Sequence, residues 1–119
     1  MFTSIFYCTG NTPHSENVRD VLDMDEAGYI KVDARFRCLF SSQKALEYPT
    51  HSDNVFAIGD CCTTPNLLKK FSYNALKSAE YLGKLLTTVA NGKDGSKLKD
   101  FDDKNQPFAV IVNLGTAFI

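Results

Sequence analysis

The stretch "HSDNVFAIGDCCTTPN", residues 51–66, decides how the rest of the chain is read. Its apolar run from Val55 to Ile58 is bounded by polar residues, and such a run fits a short strand buried on both faces of a mostly parallel sheet. Gly59 ends the run and Asp60 follows it. In an open parallel sheet, ligands bind beyond the carboxyl ends of the strands. A glycine there lets the backbone approach a ligand closely, and a carboxylate accepts hydrogen bonds from ligand hydroxyls. The matching ligand is a sugar-like polyol. A helix following this turn would aim unpaired N–H groups and its positive dipole end at the same crevice, which favours a ring that becomes anionic on reduction. The competing interpretation of an isolated Gly-Asp is an ordinary turn with a solvent-facing carboxylate.

Downstream, Leu68, Phe71, Ala75, Ala79, Leu82, Leu86 and Val89 recur in steps of three and four, which predicts a long helix from about 67 to 89. Asn91-Gly92 supplies its C-cap. Residues 93–106 are charged and read as a solvated loop. Within it "DFDDKN" superficially resembles a calcium loop but lacks the sixth-position Gly and the distal Glu, so no metal site is assigned. Residues 108–114 read as a final strand. Upstream, "DMDEAGYIKVDARFRC" places an acidic turn and Gly28 before Tyr29, Ile30, Lys31 and Val32, predicting a strand and a small hairpin with residues 36–39. Residues 40–54 read as a loop with one helical turn around 43–47. Ser15 caps a predicted short helix through Leu22, with Glu16 in its first turn. Ile5, Phe6, Tyr7 and Cys8 form a β-prone run that stops at Thr9-Gly10, with Pro13 just beyond.

Composition bounds the function. The chain has 119 residues, 44% of them hydrophobic, consistent with one globular domain. With 13 basic and 14 acidic residues it has no basic face for a phosphate backbone, which argues against nucleic acid as a partner. Cys8, Cys38, Cys61 and Cys62 lack C-x-x-C spacing and read as free intracellular thiols. Cys61-Cys62 is either a strained vicinal disulfide or a pair of small residues after a strand, and the second needs no special chemistry. His14 and His51 read as solvated loop residues rather than catalytic ones. The opening "MFTSIFYCTG" has neither a basic n-region nor an apolar run long enough for a signal or a transmembrane segment, so a cytoplasmic location is expected, with a mitochondrial or membrane-peripheral one open.

Three segments in order carry a family resemblance. "NVFAIGDC" resembles the second flavin-binding motif of the two-dinucleotide-binding-domain flavoproteins, the pyridine-nucleotide-disulfide oxidoreductase superfamily. "IFYCTGNTP" resembles the strand-Thr-Gly-x-x-Pro segment by which that family's nicotinamide domain returns to its flavin domain. "LDMDEAGYIKVDARFRC" between them resembles the family's connecting hairpin. With no spaced Cys pair of the C-x-x-C kind at a flavin motif and "AEYLGKLLTTVANGK" in the long helix, the chain is most similar to the apoptosis-inducing-factor-like, ferroptosis-suppressor-like and type II NADH dehydrogenase branch. The family departs from this chain at His14, where it often has Asn, and at Leu76-Lys77, where it often has Gln-Gly.

The resemblance implies an α/β fold, part of a Rossmann-like FAD/NAD(P)-binding fold with a small hairpin and one long helix. Residues 1–14 would end the nicotinamide-domain return strand, and residues 54–92 would hold the Gly-Asp motif and its helix. It implies FAD as cofactor and NAD(P)H as substrate, with hydride passing to flavin and on to a quinone-like acceptor. Asp60 would hold the ribityl hydroxyls, Gly59 would admit the backbone, and Thr9 and Gly10 would shape the strand near the nicotinamide. No residue is assigned a catalytic role. The Gly-x-Gly-x-x-Gly turn that cradles a pyrophosphate does not occur in the chain. The alternative is therefore a truncated, non-catalytic paralogue acting as an interaction or regulatory remnant. Without the first βαβ unit, Phe6, Phe56 and Ile58 would each forgo roughly 1.5–3 kcal/mol of burial, against a domain stability of about 5–15 kcal/mol. The chain alone is expected to bind FAD weakly or not at all.

Overall fold

A computed structural model describes residues 12–42, 44, 51–105, 113–114 and 117–118. The expected strand over 5–8, Thr9 and Gly10, most of the 43–47 turn and most of the 108–114 run lie outside the described residues.

The order of elements follows from where the chain can turn. Asp25 Oδ1 accepts from the backbone N–H groups of Ala27 and Tyr29 at 3.0 and 2.9 Å, and Gly28 takes φ +88°, closing the acidic turn. Strand β1 (Ile30–Lys31) follows. Asp33 Oδ1 then accepts from Arg35 and Arg37 N–H at 2.8 and 3.0 Å, folding the chain back into β2 (Arg37–Leu39). A Val32–Cys38 bridge joins the two, as the hairpin pattern predicts. Strand β3 (His51–Phe56) pairs antiparallel with β2 across a register shift. Strand β4 (Cys62–Thr63) pairs parallel with β1, Ile30 opposite Cys62. Helix α1 (Ser72–Ala90) packs against the 3-10 turns at Gly59–Cys61 and Gly95–Lys97, and β5 (Asn113–Leu114) pairs with β6 (Ala117–Phe118). The described residues thus form a small α/β structure with one long helix and short sheets.

Four details differ from the sequence expectation. The Ser15–Leu22 helix is a single 3-10 turn at Glu16–Val18. Ser15 is buried and donates its hydroxyl hydrogen bond to the Gly28 carbonyl instead of capping, while Leu22 is drawn into a bridge with Phe40. The strand expected at 55–58 is instead β3, His51–Phe56, taking in 51–54 of the expected loop, and it is not buried on both faces: Val55 is 44% exposed and the pairing is antiparallel. The long helix begins at Ser72, not near Leu67. Leu67 sits at φ +56°, Leu68 N–H bonds the Thr64 hydroxyl at 3.1 Å, and Asn66 Nδ2 donates to Asp103 at 2.6 Å, holding this stretch as a loop.

The fourth difference concerns which side of α1 is covered. The buried positions are Asn74, Ser78 and Leu85, whereas Leu86 and Val89 of the predicted apolar stripe are 47% and 54% exposed. Gly95 sits where a Cβ would come within 2.8 Å of Val89 Cγ2, so the 95–98 loop presses closely on the helix end. At the C-terminus, Gly92 at φ +69° and the Lys93 N–H to Thr88 carbonyl bond end the helix as the Asn-Gly pair predicts.

The core is an aromatic and aliphatic cluster around Phe36, which is 1% exposed. Its ring lies 4.9 Å from Phe101 and 6.0 Å from Tyr81, centroid to centroid. Phe36 has φ +62°, a strained value for a bulky residue that the burial of its ring offsets. No helix among the described residues is long and apolar enough to cross a membrane.

Candidate functional site

Gly59 turns the chain. It takes φ +76°, a conformation that side-chain-bearing residues rarely adopt, and opens a 3-10 turn, Gly59–Cys61, directly after the extended Ile58. A Cβ at this position would lie 3.6 Å from the Ala75 side chain, an ordinary contact. Backbone conformation, rather than crowding against α1, is what calls for glycine here.

The turn leaves Asp60 exposed, with no hydrogen bond or ion pair to another described residue. Asp60 lines an open cleft of about 320 Å³ together with Thr12, Pro13, His14, Tyr29, Cys61 and Lys70. Three separate parts of the chain thus meet: the 12–14 segment, the strand entry at Tyr29, and the 59–70 turn and loop. The 12–14 wall is anchored at its base, where buried Ser15 bonds the Gly28 carbonyl, and Pro13 lies beside Gly28. Lys70 donates to the Cys62 carbonyl, and its ammonium lies 4.7 Å from the centroid of the Tyr29 ring.

Of the residues predicted from sequence, Gly59 and Asp60 stand at the cleft, and Thr9 and Gly10 lie outside the described residues. His14 lines the cleft and is exposed. Tyr29 and Lys70 carry no sequence signal for a site. Tyr29 reads as a strand residue, and Lys70 as part of a helix that in fact starts after it.

The thiols divide by burial. Cys38 and Cys62 are buried and free, and burial pushes their thiols up to about 11 and about 12. Cys61 is free and exposed beside Asp60, its Sγ 3.3 Å from the Ile58 carbonyl. The Cys61-Cys62 pair is therefore two thiols in different environments, without a vicinal disulfide. No group of three or more His, Cys, Asp or Glu side chains arranged to hold a metal occurs among the described residues.

A second groove, of about 460 Å³, runs between β3 and the end of α1, with Phe56, Leu86 and Val89 on its walls and Arg35 and Arg37 at its edge. Both guanidiniums are already engaged. Arg35 bonds Asp100 at 2.7 Å and the carbonyls of Gly95, Ser96 and Leu98, while Arg37 bonds Asp33 at 2.7 Å and Asp53 at 3.2 Å. They serve as structural ties.

Comparison of the chain with known protein families, with curated proteins and with solved structures gives no match.

Proposed function

We propose that this chain is the C-terminal, flavin-binding portion of an FAD-dependent NAD(P)H oxidoreductase of the two-dinucleotide-binding-domain type. The supporting observation is that Thr12 and Pro13, the end of the Thr-Gly-x-x-Pro segment, line the same cleft as Asp60 of the Gly-Asp motif. In the resemblance one stretch returns the chain from the nicotinamide domain to the flavin domain and the other holds the flavin, so their proximity is in keeping with it. Asp60 fits a ribityl arm chemically, being an exposed acceptor with its lone pairs uncommitted to other described residues. Gly59 exposes the backbone beside it. In the intact family the bound flavin takes hydride from NAD(P)H and passes electrons to a quinone-like acceptor. The residues of this chain bind and orient the polyol arm.

The alternative of a non-catalytic interaction remnant draws on a different observation. Leu76, Leu86 and Val89 are apolar positions of α1 left partly exposed, at 56%, 47% and 54%.

Riboflavin and FAD titrated into the isolated chain at up to about millimolar concentration test the flavin proposal, with amide NMR shifts as readout. The expected result is weak binding whose shifts cluster at residues 12–14 and 59–61 and vanish in Asp60→Asn. Shifts that persist unchanged in the variant, or that fall away from residues 12–14 and 59–61, overturn it.

A further inference from the structure

The Asp60 cleft carries more than a hydroxyl acceptor. Lys70 reaches it from the loop before α1, and its ammonium is held in place by the Cys62 carbonyl and the face of Tyr29. Neither of those neighbours carries a negative charge, and no described carboxylate pairs with Lys70. An ammonium has three donors, so a donor remains after the Cys62 bond. His14, on the 12–14 wall, adds a second nitrogen donor and is exposed without a partner among the described residues. Thr12 contributes a hydroxyl to the same wall. One cleft therefore offers a carboxylate for hydroxyl groups and, from two other segments, nitrogen donors suited to an anion.

We infer that the cleft binds a polyol ending in a phosphate, with the polyol hydroxyls on Asp60 and the phosphate on Lys70 and His14. This rests on the flavin proposal and narrows it to a mononucleotide-type ligand, a ribityl phosphate with or without its flavin ring. The cleft, at about 320 Å³, is within the range of small-molecule pockets. Lys70 is well suited to the phosphate because it is fixed before the ligand arrives, so little side-chain freedom is lost on binding.

The test measures affinities of riboflavin, flavin mononucleotide, ribitol 5-phosphate and inorganic phosphate for the chain, by calorimetry and NMR. Flavin mononucleotide is expected to bind at least tenfold more tightly than riboflavin. Ribitol 5-phosphate should compete with it, and inorganic phosphate should compete far less well. Lys70→Met should reduce flavin mononucleotide to the affinity of riboflavin, while Asp60→Asn weakens both. Circular dichroism checks that each variant is folded, and Lys70→Arg, which keeps the charge, should retain most of the preference if Lys70→Met proves unstable. Equal binding of riboflavin and flavin mononucleotide, or inorganic phosphate competing as well as ribitol 5-phosphate, overturns the inference and leaves the flavin proposal standing. Ribitol 5-phosphate binding with no contribution from the flavin ring does the reverse. If none of the four binds, the inference falls.

Discussion

The Arg35 end and the Asp60 end of the molecule treat their charged groups in opposite ways. At the first, one guanidinium is bonded to a carboxylate and three backbone carbonyls, tying the hairpin turn to the 95–100 loop over the Phe36, Tyr81 and Phe101 rings. At the second, a carboxylate stands in an open cleft bonded to no described residue. The difference separates scaffold from site. Donors and acceptors used up by the protein hold its shape, and those left over at a concave surface are available to a ligand.

Mutations at the two ends should divide accordingly. The largest effect is expected from Phe36→Ala, which empties the most buried aromatic position among the described residues and should cost about 3–5 kcal/mol of stability in denaturant unfolding. Retention of near-native stability would remove the Arg35 end as the centre of the fold. Arg35→Met comes next. It leaves three carbonyls and Asp100 to solvent or without a partner and should cost about 1–3 kcal/mol, with loss of hydrogen-exchange protection concentrated over residues 95–101. Uniform loss of protection would mean that Arg35 does not act as a local tie.

The thiols sharpen the comparison through pH. The unfolded chain releases thiol protons from about pH 8.5, whereas folded Cys38 and Cys62 hold theirs to about 11 and about 12. Between those limits the folded state binds more protons. Their contribution to stability is therefore complete below about pH 8.5 and is lost as pH rises through the folded values. Peptide-resolved alkylation at neutral pH should label Cys61 readily and leave Cys38 and Cys62 unmodified until the chain unfolds. Rapid labelling of all three would contradict the packing described. The smallest stability effect is expected from Asp60→Asn, within about 0.5 kcal/mol of the parent by thermal melt, because no described residue depends on that carboxylate. A clear loss of stability would make Asp60 part of the scaffold.

Much of the local structure was legible in the sequence. The acidic turn at Asp25, the 30–39 hairpin and the Asn91-Gly92 helix end each depend on residues within a few positions of one another, and short-range hydrogen bonds settle them. The start of α1 was not legible, because Leu67 to Phe71 have helical spacing but are held in a loop by Thr64 and by Asp103, the latter contributed from far along the chain. Nor was the buried side of α1, where Asn74 and Ser78 face inward while Leu86 and Val89 do not. Periodicity reports the apolar side of a helix but not what is present to cover it.

For the candidate site the division is the same. The sequence alone determined that a glycine would turn the chain after an extended apolar run and that a carboxylate would follow it, since φ +76° at Gly59 is a local demand met by residue type. Only the tertiary structure decided that His14, Tyr29 and Lys70 surround that carboxylate. Their meeting depends on the parallel pairing of β1 with β4 and on the Ser15 bond to Gly28, contacts between stretches that no sequence spacing relates.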